Sequence, residues 1–405
     1  MRKEFIQKIK LPAMLLAILI LPIFFGYLVP LSIKSMSYAI SLSMKTGLEF
    51  VLPFIIFSFV FSCLANQQKG AVFFVFLLIT CVFMSNFSAL MVGYGSGTFG
   101  LNLLSLQATP VADGPHLQAA WSFTLPKLIS NDHALMIGFV CGIFASLFPN
   151  ERIKGLAQTL NMLSNGFLRK VFIPVLPLFI LGFVFKLEYD NVLEMALKVY
   201  GPVLVLIIAT QWVYILLWYS IASGFSFKRL TGLFRNVLPA TLTGLSTISS
   251  AASMPVLLIG TEKNLGDSEK AKMLVPAIIN IHTIGSAIGV PILAMATLST
   301  FGMPLPTIGQ FVTFAFFTAL AKYAVAAVPG GVIIVVAPLL QTYLGFTNDM
   351  VGLITAVYLI CDPFGTCANV TGNGVFPVLF TRLHETLNRV FNRKKTSPAL
   401  VEAID

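Results

Sequence analysis

The sequence predicts an all-α polytopic membrane protein, with eight transmembrane helices and two re-entrant helical hairpins arranged as inverted repeats. Three observations carry that expectation. Of 405 residues, 57% are hydrophobic and only 10% are charged, with a mean hydropathy of +0.89. A soluble chain carries about a quarter charged residues. Charge-free runs recur at the lengths a bilayer demands. Two of them are interrupted by proline and glycine on either side of another span, the sequence pointer to inverted repeats around a mid-membrane site.

The elements follow in order. Arg2, Lys3, Lys8 and Lys10 precede a charge-free run, Leu11–Ile33, which reads as span one. It is too long for a signal-peptide core and lacks a small-residue cleavage site. Phe50–Gln68, extended back through Lys45 and Glu49, is span two, and Ala71–Gly93 is span three. The glycine- and proline-bearing stretch Gly95–Asp132 reads as an extracytoplasmic excursion. Span four covers His133–Pro149, a basic loop runs from Arg152 to Lys170, and spans five and six occupy Leu168–Phe185 and Tyr200–Ser223.

The pattern then changes. Asn236–Thr261 is broken by Pro239, Gly244, the small-residue run Ser249–Ser253 and Pro255, which suits two short helices with an irregular tip. Met273–Ser299 is interrupted by Asn280, His282 and Gly285; Gly309–Thr347 is interrupted at Val328–Gly331 and carries one interior charge, Lys322.

The bases set the orientation. With both termini cytoplasmic, Lys69, the Arg152–Lys170 loop, Lys228–Arg235, Glu262–Lys272 and Arg382–Lys395 lie inside. Lys34, Lys45, Lys127, Lys186 and Lys198 fall outside, the smaller share. That bookkeeping holds only if Asn236–Thr261 enters and leaves from the inside and Gly309–Thr347 from the outside. The net charge of +10 is therefore a topology signal and not a nucleic-acid surface. Cys63, Cys81, Cys141, Cys361 and Cys367 all lie in apolar runs without metal or disulfide spacing, and read as packing residues.

The last span holds the candidate site. Asp362 is the only charged residue from Met350 to Thr381. At about 100° per helical residue, Asp362, Thr366, Asn369 and Asn373 share an arc of roughly 60°. Phe364, Cys367, Ala368 and Val375 lie opposite. A mid-membrane aspartate costs about 2.5–3.5 kcal/mol on insertion scales, so it marks a functional site by default. The plain alternative is an aspartate that bonds a neighbouring backbone.

These residues resemble a known family, the dicarboxylate/amino acid:cation symporters, or glutamate transporters. Ile248–Pro255 is similar to the serine-rich tip of that family's first hairpin, and Val328–Gly331 to the tip of its second. His282–Ala287 stands where its Asn-Met-Asp-Gly-Thr motif stands, and Asp362–Asn373 parallels its Asp-x-x-Arg-Thr-x-x-Asn-Val-x-Gly-Asp signature.

The resemblance implies an elevator-type secondary transporter of the cytoplasmic (inner or plasma) membrane, a homotrimer with no organic cofactor and Na+ or H+ as coupling ion. Residues 1–70 and 94–199 would hold scaffold helices. Residues 71–93 and 200–382 would form the moving transport core, and 383–405 a basic cytoplasmic tail. Asp362 would hold a substrate amino group. Thr366 and Asn369 would contact the substrate, as would the backbone N–H groups about Ser249 and Ser250. Val328 and Gly330 would belong to an outer gate.

Departures from the pattern refine these expectations. Gly365 replaces the family's arginine, which reads a second carboxylate, so a neutral amino acid is expected rather than a dicarboxylate. Ile284 and Asn373 replace two sodium-binding aspartates, and His282 replaces an asparagine, which puts sodium coupling through these positions, with Ser286 and Asn369, in doubt. Lys322 is either a tethered ammonium in a former cation site or a lysine snorkelling to the interface. His282, expected beside a buried carboxylate, invites a proton-coupled reading; a histidine donating one structural bond is the alternative. Uncoupled exchange stays open. A channel would need a continuous polar lining, and an enzyme a motif such as HExxH, which the chain lacks.

Overall fold

The computed structural model describes residues 17–18, 21–22, 24–65, 72–103, 117–126, 128–129, 131–148, 150–190, 192–325 and 330–395. Among them every regular element is helical. The helices are α1 (Leu31–Ala65), α2 (Val72–Leu103), α3 (Asn131–Leu147), α4 (Glu151–Phe167), α5 (Ile173–Tyr189), α6 (Val192–Ser223) and α7 (Phe227–Thr247). They continue with α8 (Ser250–Leu265), α9 (Ser268–Ile278), α10 (Ile284–Thr300), α11 (Ile308–Ala321), α12 (Gly331–Leu344) and α13 (Asn348–Lys395).

Length and composition suffice for a membrane crossing in Phe76–Asn102, Tyr200–Ser223 and Asn348–Val390. Other apolar helices are shorter, among them Ile284–Thr300, Ile308–Ala324 and Gly331–Leu344, because breaks divide those runs. One apolar core runs through the described helices, and within it helix contacts are densest in two groups, with α13 also touching α5. Helix α1 packs along α3, α4 and α5, while α2 packs on α10, and α13 on α6, α7, α8 and α10.

Three expected boundaries are corrected. The run Leu11–Ile33 does not end at Ile33: a 3-10 turn at Gly26–Leu28 and Pro30 divide it, and α1 starts at Leu31. The Pro30 carbonyl accepts the first helical N–H groups, from Ile33 at 3.0 Å and Lys34 at 3.2 Å. Charge counting misses this because Leu31 and Ile33 continue the apolar run. Most of the preceding run lies outside the described residues.

The expected excursion from Gly95 is helical as far as Leu103. Its glycines let α2 approach its neighbours closely, and are not turn signals. A Cβ at Gly93 would meet the Ile288 backbone oxygen at 2.6 Å, and one at Gly97 the Ile292 Cα at 3.2 Å. Residues 104–116 lie outside the described residues.

The expected basic loop from Arg152 is α4, and span five starts at Ile173 after a π-helical turn, Leu168–Phe172, ahead of Pro174 and Pro177. Ile153, Ala157 and Leu160 fall at i, i+4 and i+7 and pack on Phe57, Phe61 and Ala145.

Two of the lysines that charge counting places on the outer side are buried in ion pairs. Lys34 pairs with Glu188 at 2.6 Å. Lys186 pairs with Asp190 and stands 3.5 Å from Asp349, which also accepts from the Tyr38 hydroxyl at 3.1 Å. This cluster joins α1 and α5 to the first turn of α13.

Candidate functional site

Three chain breaks converge on the middle of α13. The first lies between α7 and α8, which pack side by side. Ile248 ends α7 in the left-handed region at φ 51°, and Ser249 caps α8, its Oγ accepting from the Ala252 N–H at 3.2 Å. A β-branched residue at positive φ is an outlier that the surroundings must hold. Beyond it the unpaired N–H groups at the start of α8 present a positive helix end.

The second break separates α9 from α10. Asn86 on α2 braces it, donating from Nδ2 to the Ile281 carbonyl at 2.7 Å and accepting from the Thr283 N–H at 3.0 Å. Asn369 on α13 caps α10: its Oδ1 accepts from the N–H groups of Gly285 at 2.8 Å and Ser286 at 3.3 Å. Gly285 permits this approach, since a Cβ there would stand 2.7 Å from the Ala368 Cβ.

The third break separates α11 from α12. On its α11 side Lys322–Ala324 form a 3-10 turn. On its α12 side stands Gly330, φ 72°, whose N–H donates to Asp362 Oδ2 at 2.9 Å. A side chain at Gly330 would be strained, and its Cβ would strike Leu359 Cδ2 at 2.8 Å. Val328 lies outside the described residues.

Between these breaks opens a cleft of about 380 Å³. Asp362, Thr366 and Asn369 line it from α13, Ser249 and Ser250 from the first break, and Asn280 and Thr283 from the second; Ile248, Ile279, Val325, Gly331 and Val332 supply the rest. Among the described residues no lysine, arginine or histidine lines it. Asp362 has no cation within 4 Å among the described residues, although its backbone bond to Gly330 meets the plain expectation as well. Asn369 spends Oδ1 on α10 while the residue also lines the cleft.

The structure divides the predicted polar stripe. Asn373, one turn beyond Asn369, is fully buried and its Oδ1 lies 2.6 Å from His282 Nδ1. The opposite face is not turned to lipid throughout: Cys367, Ala368 and Val375 are buried, and only Phe364 is exposed.

The expectation of a carboxylate beside His282 is not met. Its other nitrogen, Nε2, lies 2.8 Å from Ser85 Oγ, and its ring contacts are Phe376 and Trp218. A neutral imidazole satisfies both partners, so the single-role structural reading fits better than a proton relay. Ile284 is buried and packs on Gly372. Lys322 does not snorkel: it is 0% exposed, and its Nζ donates to Ser286 Oγ at 2.9 Å and to Thr283 Oγ1 at 3.0 Å.

Sequence reasoning missed Ser85, Asn86 and Thr283. Asn86 is the only amide in the apolar run Ala71–Gly93, which was the available signal.

Gly365 is buried but leaves room for a methyl group. A Cβ there would meet only the Ser286 nitrogen, at 3.9 Å. Gly365→Ala is therefore expected to stabilise by about 0.5–1 kcal/mol through reduced chain entropy. Gly285→Ala is expected to cost about 1–3 kcal/mol by overpacking. Thermal melts of the two variants check the contrast.

Comparison with known proteins decides the class. The model of the sodium:dicarboxylate symporter family matches residues 11–383. The chain belongs to that family. It is similar to the serine/threonine transporter SstT of Bifidobacterium adolescentis, 25% identical over 347 residues, which cover 80% of this chain and 78% of that one. The SstT of Streptococcus agalactiae (serotype III) is also 25% identical, over 366 residues, 86% of this chain and 89% of the relative. A shorter match, 31% over 142 residues, joins 35% of the chain to 28% of an excitatory amino acid transporter of Onchocerca volvulus. The family is one of membrane transporters and not of enzymes.

Proposed function

We propose that this family member carries a neutral amino acid across the cytoplasmic membrane together with a cation. One observation carries the reading: the cleft offers one carboxylate, Asp362, and several N–H donors, but no cationic side chain. That set complements a zwitterion. Asp362 takes the ammonium group, while Asn369 Nδ2 and the N–H groups at the start of α8 take the carboxylate. Thr366 and the hydroxyls of Ser249 and Ser250 suit a small polar side chain, in keeping with the names of the serine/threonine relatives. A dicarboxylate would bring a second anion with no guanidinium to meet it, at a cost of several kcal/mol.

The two packing groups support an elevator. In this reading α2, α6 to α12 and the body of α13 move as a unit, with α7–α8 and α11–α12 as hairpins that enter and leave on one side. Helices α1, α3, α4 and α5 form the scaffold of a homotrimer. Exposed Phe54, Val140, Phe144, Met162 and Leu163 give that scaffold an apolar outer face for lipid and partner subunits. Both termini lie in the cytoplasm. One co-transported charge supplies about 2.3 kcal/mol per 100 mV, enough for roughly a 40-fold gradient.

Counterflow in proteoliposomes tests the proposal. Preloaded serine or alanine is expected to accelerate entry of the labelled amino acid, with aspartate a poor competitor. Aspartate uptake that neutral amino acids fail to compete with overturns it.

A further inference from the structure

The geometry points to a cation built into the chain: the Lys322 ammonium occupies the position of a free monovalent coupling ion, so this site takes no sodium. The inference deepens the transport reading above and rests on it for the meaning of coupling, but not for its test.

Lys322 is 0% exposed. Its Nζ has three oxygen acceptors, Ser286 Oγ at 2.9 Å, Thr283 Oγ1 at 3.0 Å and the Thr283 carbonyl at 3.4 Å. The Thr283 carbonyl also accepts from Ser286 Oγ at 3.0 Å, which fixes both oxygens relative to each other. No carboxylate lies within 4 Å of the ammonium among the described residues. A buried ammonium survives only where fixed oxygens replace its water. A carbonyl and two hydroxyls at a helical break are also the oxygen set that a monovalent cation takes.

Three neighbours show that sodium itself does not fit. Ile284 supplies no oxygen and packs on Gly372. Asn373 is committed to His282 at 2.6 Å. The oxygens that remain are held by Lys322. The family is described by its sodium dependence, yet these residues do not fit that ion. Placing the amine on the turn between α11 and α12 tethers it there, since it cannot leave with the substrate.

The test compares thermal stability of the purified full chain in sodium chloride and in choline chloride at equal ionic strength. The wild type is expected to melt at the same temperature in both. Lys322→Ser removes the ammonium and adds an oxygen, so sodium is expected to raise its melting temperature by about two degrees or more. Lys322→Met, which fills the space without a ligand, is expected to show no response. Sodium-specific stabilisation of the wild type overturns the proposal, as does a Lys322→Ser variant indifferent to sodium. If Lys322→Ser folds poorly in choline, recovery on adding sodium or ammonium chloride supports it, and no recovery contradicts it. Amino acid binding plays no part in this readout, so a wrong substrate assignment leaves it intact.

Discussion

Asp362→Asn is expected to abolish uptake while leaving the protein folded. The asparagine keeps an oxygen for the Gly330 N–H, now 2.9 Å from Oδ2, so the start of α12 keeps its contact. What disappears is the charge opposite the substrate's ammonium group. Removing one partner of a buried ion pair costs about 3–5 kcal/mol, or about two to three and a half decades of affinity. Substrate binding by titration calorimetry, beside a thermal melt, separates that loss from unfolding. A variant that binds within tenfold of the wild type contradicts the role given to Asp362.

Asn369→Ala is expected to damage structure and binding together. Its Oδ1 holds the N–H groups of Gly285 and Ser286, both buried. Each donor left unpaired costs about 1–3 kcal/mol, so a loss of about 2–6 kcal/mol in stability follows. Asn369→Asp keeps both acceptor bonds but replaces the Nδ2 donor with an anion. It is expected to restore much of the stability and none of the binding. Urea or thermal unfolding in detergent, paired with binding, reads the two effects separately.

The breaks were legible in the sequence because proline, glycine and polar residues interrupt apolar runs where helices end. Ile248–Ser249 and Ile279–Thr283 fall at interruptions read directly from the residues, as does Gly330 at the start of α12. The turn after Ala321, by contrast, begins ahead of the interruption read at Val328–Gly331. The Asp362 stripe was legible because helical periodicity is local. Its division was not: Asn369 and Asn373 differ only in what lies across from them, α10 N–H groups for one and His282 for the other. Partners nearly 200 positions away, Ser85 and Asn86, leave no periodic trace near the motifs they brace. Glycine was ambiguous in the same way. In α2 it marks close helix approach, whereas Gly330 marks a positive φ, and only packing distinguishes them.

The claim that a lone carboxylate in a cleft free of cations grips a neutral zwitterion is tested most directly by equilibrium binding to the purified wild-type chain. Serine, threonine and alanine are titrated beside aspartate and glutamate under identical ionic conditions. The neutral amino acids are expected to bind at least tenfold more tightly. Aspartate or glutamate binding more tightly than any of them would contradict it.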